Sequence, residues 1–143
     1  FLLNNFDFDV IQVPFNILDK RLIRSGMFDK LANQDVEVHA RSIFLQGLLL
    51  MDEGSKHKYF NRWKKLWQLW NEWLKDNKLT ALEVTTRYVI STAEISKVLV
   101  GVNSKKHLQD ILQASDGIIP AIPEDLYSDD VDLLNPMNWN VSV

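Results

Sequence analysis

Three short β-rich runs are held apart by stretches of helical periodicity: DVIQVPF (Asp9 to Phe15), VEVHAR (Val36 to Arg41) and KVLVGV (Lys97 to Val102). That alternation constrains the chain more than any single motif. Strands separated by helices form βαβ units, and such units build a parallel sheet with helices packed on it. KVLVGV is nearly all apolar, as a strand covered on both faces should be. Pro14 cannot donate a ladder hydrogen bond, so the first strand is predicted from about Val10 to Pro14. The second runs from about Glu37 to Arg41. Three strands are few for a sheet of this kind, and FLLNN at the start reads as the last turn of a helix whose beginning is absent. The sequence is therefore expected to be a fragment of a larger fold.

The helical stretches have separate signatures. DKRLIRSGMFDKLANQD places Leu22, Ile23, Met27, Phe28 and Leu31 near helical spacing, but Gly26 predicts a break. In KHKYFNRWKKLWQLWNEWLKDN, Phe60, Trp63, Trp67, Trp70 and Leu74 recur at 3-4-3-4 spacing, widened by Leu66 and Trp73. Thr80 and Glu83 have capping-box spacing and open a second helix to about Ile90. Ser104 is placed to cap the helix SKKHLQDILQAS. Beyond Ser115 periodicity stops. Residues 116–143 hold Pro120, Pro123 and Pro136 among acidic residues, and are expected to lie on the surface as an irregular tail.

Composition excludes several function classes. A formal net charge of −3 leaves no basic footprint for nucleic acid. With no cysteine there is neither a disulfide nor a thiolate metal site, which fits a reducing, cytoplasmic setting. No apolar run reaches the roughly 18–20 residues of a membrane span. His39, His57 and His107 lack metal-site spacing and a sequence partner for nucleophilic chemistry. The tryptophan stripe has Lys56, Lys58, Lys64 and Lys65 beside it, which permits a second reading: a non-catalytic module that docks a partner through this helix. Glu72 and Asp76 dilute the basic face, and core packing explains the stripe equally well.

Ligands of parallel α/β folds meet the carboxyl ends of the strands. Each strand end here bears polar groups: Gln12, the pair Arg41 and Ser42, and the pair Asn103 and Ser104, the last opening into a helix N-terminus. Taken singly they read as turn and cap residues.

Taken together, FDVIQVPFNILDKRL, VEVHARSIFLQGLLL and ISKVLVGVNSKKHLQDIL resemble the sixth, seventh and eighth strands of the aldo/keto reductase family, over about residues 5–115. The resemblance implies the C-terminal part of a (β/α)8 barrel (residues 1–115) followed by the tail. It also implies an NAD(P)H-dependent oxidoreductase that reduces a carbonyl by hydride transfer. Gln12 matches the strand-six glutamine that bonds the nicotinamide carboxamide. Arg41 takes the place of an aromatic ring that stacks on the nicotinamide. Ser42 matches the serine of an S-P-L motif, with Ile43 and Phe44 replacing the other two. The backbone from Phe44 to Gly47 would lie along the pyrophosphate. Gly101 matches the glycine after strand eight, and Ser104 a serine at the adenosine phosphate. Asn103 and His107 replace cationic or amide residues there, so NADP and NAD both remain open, with Lys105 or Lys106 able to compensate. The family's catalytic Asp, Tyr, Lys and His lie in the first half of the barrel. None is assigned here, and the fragment is expected to be inactive alone. DLLNPMNW resembles the ending of members from sugar pathways, implying a small carbonyl substrate, sugar-related on this evidence. Open strand edges predict pairing with a second copy or with the missing half, the alternative being that the tail from Asp116 to Trp139 folds back over the exposed surface.

Overall fold

The computed structural model describes residues 2–141. Strand β1 (Val10–Pro14) and strand β2 (Glu37–Arg41) pair in parallel along their whole length, Val10 opposite Glu37 through to Pro14 opposite Arg41. Strand β3 (Lys97–Val98) lies on the far side of β2, also parallel, with His39 opposite Lys97. The sheet order is β1-β2-β3. The third strand is shorter than its apolar run predicts. Leu99 N–H still donates to Ala40 O at 2.8 Å, but β2 ends at Arg41 and Val100 to Val102 have no ladder to join.

Period-two alternation divides the sheet into two faces. Val13, Val38 and Ala40 are buried toward the helices. The opposite face carries Gln12, Glu37, His39, Arg41 and Lys97, all exposed or half-buried. It is polar, and Glu37 accepts from both His39 Nε2 (3.1 Å) and Lys97 Nζ (3.2 Å) across it. Those two contacts hold the Glu37 carboxyl below its usual range.

Helices α1 (Arg21–Arg24) and α2 (Met27–Ala32) are the broken pair predicted at Gly26, whose φ of 66° is left-handed. The tryptophan stretch begins as a 3-10 turn (Lys58–Trp63) and continues as helix α3 (Lys64–Asn77). Trp67, Trp70 and Trp73 are buried in the chain's own core, Trp70 to 1% exposure. The stripe is thus largely occupied internally. Helix α4 (Ala81–Ile90) starts at Thr80 with the complete capping box, Thr80 Oγ1 accepting from Glu83 N–H and Glu83 Oε2 accepting from Thr80 N–H. Helix α5 (Lys105–Ala114) is capped by Ser104.

The tail corrects the sequence reading. Residues 124–138 fold into a 3-10 turn (Glu124–Leu126), helix α6 (Val131–Leu134) and a second 3-10 turn (Pro136–Asn138). Leu126, Leu133 and Leu134 are buried in the same core cluster as Phe15, Leu18 and Phe60. Ser128 N–H donates to Leu18 O at 2.8 Å, and the Trp139 ring stands edge-on to Phe60 at 4.8 Å. Two polar clamps flank this strap. Lys20 and Arg24 hold Glu124 and Asp129, while Arg62 and Trp63 hold Asp132 and Asp130. Acidic residues kept the segment looking solvated, yet its isolated leucines belong to the core.

Candidate functional site

Beyond the carboxyl ends of the strands lies a cleft of about 1210 Å³. Gln12 reaches it from β1. Arg41 and Ser42 reach it from the end of β2, Phe44 and Gly47 from the loop that follows, and Gly101, Asn103 and His107 from beyond β3. The sequence-predicted residues are therefore brought together, with one exception. Ser104 is absent from the lining because its Oγ turns onto its own helix, accepting from His107 N–H at 3.1 Å.

The loop after β2 is the most unusual backbone in the chain. Ser42, Leu45, Gln46 and Gly47 all have positive φ (59°, 48°, 54° and 83°). Left-handed backbone costs a non-glycine residue roughly 1–2 kcal/mol, so three such residues persist only if their surroundings enforce it. They do. Ile43, Leu45, Leu48 and Leu49 are anchored in the core, and turns close from Leu45 N–H to Ser42 O (2.9 Å) and from Leu48 N–H to Leu45 O (3.0 Å). The consequence is polar. Among the described residues, the amides of Phe44, Gln46 and Gly47 donate to no backbone acceptor, and all three residues line the cleft. Free N–H groups in a loop of this conformation are donors available to an anion.

Sequence reasoning missed the facing wall. Asp52 and Glu53 follow the loop, Asn71, Trp70 and Leu74 come from α3, and Asp110 and Ile111 from α5. Asp110 stands one helical turn beyond His107, a spacing that could have flagged it once His107 was chosen. Its carboxylate is held by Lys106 Nζ at 2.7 Å. Lys56 fastens this wall: it donates to Met51 O and sits 5.2 Å from the Trp67 ring centroid. Burial lowers its pKa, with Asp52 and Glu53 opposing the shift. No cluster of three or more metal-ligating side chains occurs among the described residues.

The cleft can therefore hold a partly apolar molecule, with side-chain and backbone amides among its polar groups. A family model for the aldo/keto reductase family matches residues 3–121. Among solved structures, an apo aldo-keto reductase from Bacillus halodurans is similar with a TM-score of 0.60 at 19% identity, over 87% of this chain and 43% of that one. At that identity the likeness speaks for the fold, part of a (β/α)8 barrel. The chain spans less than half the length of that structure. No curated protein matches.

Proposed function

Because this chain belongs to the aldo/keto reductase family, we propose that its cleft is the dinucleotide-binding part of a carbonyl reductase dependent on NADPH or NADH. One observation carries the reading: a strained, core-anchored loop leaves the amides of three cleft-lining residues without a backbone acceptor, in a cleft that Gln12 and Asn103 also line. These residues fit such a cofactor. The amides of Phe44, Gln46 and Gly47 suit a pyrophosphate, and the apolar Leu49, Leu74 and Leu82 suit ring faces. Gln12 both donates and accepts, as a carboxamide requires, so it would fix which face of the nicotinamide meets the substrate. When bound, the cofactor supplies hydride to a carbonyl carbon.

The chain's own contribution is binding and orientation. The resemblance puts the family's proton-donating group in the other half of the barrel, so residues 1–143 alone would bind cofactor without turnover. The substrate would be a small carbonyl compound, sugar-related if the DLLNPMNW ending is a guide. The absence of cysteine favours the cytoplasm. Among the described residues no helix is long and apolar enough to cross a membrane.

Trp70 lines the cleft, so binding has a built-in reporter. Titration with NADH or NADPH should quench tryptophan emission saturably at micromolar to low millimolar concentration, with either dinucleotide competing for the same site. Absence of saturable binding by both would refute the reading.

A further inference from the structure

The chain has five arginines, and four of them meet carboxylates. Arg21 pairs with Asp19 (2.7 Å), Arg24 with Asp129 (2.7 Å), Arg62 with Asp132 (3.1 Å) and Arg87 with Glu83 (2.8 Å). Of the five arginines, Arg41 alone forms no ion pair among the described residues. Among the described residues its exposed guanidinium makes one polar contact, Nη1 donating to Ser42 Oγ at a long 3.3 Å. Arg41 is also the only lysine or arginine in the lining of the cleft.

The nearby acids do not answer it. Glu37, four residues earlier on the same sheet face, is held by His39 and Lys97. Asp110 is held by Lys106 on α5. Asp52 and Glu53 lie on the facing wall, where Lys56 is the cation they act on. A planar guanidinium with most of its five donors free matches a carboxylate bidentately.

We propose that Arg41 selects carbonyl substrates that carry a carboxylate, binding that group while the carbonyl lies over the nicotinamide. This rests on the cofactor reading above. That reading gives the ends of β1 and β2, where Pro14 and Arg41 stand side by side, to the nicotinamide. The pyrophosphate would be met by amides three to six residues further on, so the anion facing Arg41 belongs to the substrate.

The test compares phenylglyoxylate with its neutral methyl ester by calorimetry, with and without saturating NADH. The proteins are wild type, Arg41→Gln and Arg41→Lys, and NADH affinity is measured separately for each. Arg41 is exposed, so its variants should fold as wild type. The expected result is tighter binding of the carboxylate by roughly 10- to 100-fold, the scale of a charge-assisted pair. Arg41→Gln should erase that preference and Arg41→Lys should keep part of it. Equal affinity for acid and ester in wild type would overturn the proposal, as would a preference that survives Arg41→Gln. A parallel loss of NADH affinity would make Arg41 a cofactor residue and overturn it too. If NADH fails to bind wild type, the cofactor reading falls by itself. A carboxylate preference lost in Arg41→Gln would then still support Arg41 as the anion-binding residue.

Discussion

Replacing Leu133 by Ala separates two accounts of how residues 124–139 are held. The ion pairs look like the fastening, but their magnitudes are small. Side-chain exposures of 49% and 60% for Arg24–Asp129, and of 54% and 43% for Arg62–Asp132, put both pairs in solvent. Exposed pairs of this kind contribute about 0–1 kcal/mol each. Leu126 and Leu133 are fully buried and Leu134 is 4% exposed. Burying such side chains contributes roughly 1.5–3 kcal/mol apiece, an upper estimate because the unfolded chain is not fully extended. The strap is thus a hydrophobic element with an electrostatic rim. Leu133→Ala should cost about 2–5 kcal/mol, the range for a leucine deleted from a core. That is a large share of the roughly 5–15 kcal/mol a domain has in total. Asp129→Asn combined with Asp132→Asn should cost about 1 kcal/mol or less. Urea unfolding followed by tryptophan fluorescence measures both. If the double charge variant loses more stability than Leu133→Ala, the reasoning is refuted.

Glu83→Ala should cost about 1 kcal/mol at pH 7 by removing the capping box of α4. Hydrogen bonds from the Thr80 backbone, then its side chain, hold the Glu83 carboxyl below its usual range. That stabilisation is present above the unfolded carboxyl pKa of about 4.3 and is lost as pH falls through the lower folded value. The penalty should shrink by pH 3, and an equal penalty at both pH values would count against the cap. Gly47→Ala meets nothing within 4 Å of its new Cβ, but φ is 83°. It should lose about 1 kcal/mol of stability through backbone strain alone, and unchanged stability would show that the loop relaxes. Since Asn103 and His107 replace residues that the family resemblance expects to be cationic or amide, NADPH and NADH should bind with similar affinity. A preference above about 100-fold, roughly 2.8 kcal/mol, would mean phosphate contacts made elsewhere. The outer edges of β1 and β3 are unpaired among the described residues, and Phe6 (58% exposed) and Leu112 (61% exposed) are open. Association with copies of itself or with the rest of a barrel is therefore expected at low micromolar concentration. A compact monomer by sedimentation would contradict this.

How far the sequence could be read varied with the range of the forces involved. β1 and β2 end where Pro14 and the polar Arg41–Ser42 pair end them, because these are local chemical facts. The capping box of Thr80 and Glu83 and the break at Gly26 are equally local. β3 is short for a non-local reason: Val100 to Val102 are apolar enough for a strand but lack a neighbour. The tail misled for a similar reason. Leu126, Leu133 and Leu134 follow no period and sit among prolines and acids, so only the Leu18 and Phe60 surfaces reveal their partners. In the cleft, Gln12 and Asn103 were visible because strand ends are predictable. Asp52, Asn71 and Asp110 enter from a loop and two helices whose approach depends on packing. Ser104 was read as a ligand-binding hydroxyl and as a cap, and the structure shows it serving as the cap.

The central claim is that the loop after β2 presents its amides to a dinucleotide. Amide shift mapping by two-dimensional NMR, with NADH or NADPH titrated into the ¹⁵N-labelled chain, tests it residue by residue. The account predicts saturable shifts that are largest at Phe44, Gln46 and Gly47, accompanied by Gly101, Asn103 and the Gln12 side-chain amide. Shifts confined to other surfaces, or none at millimolar dinucleotide in a folded protein, would contradict it.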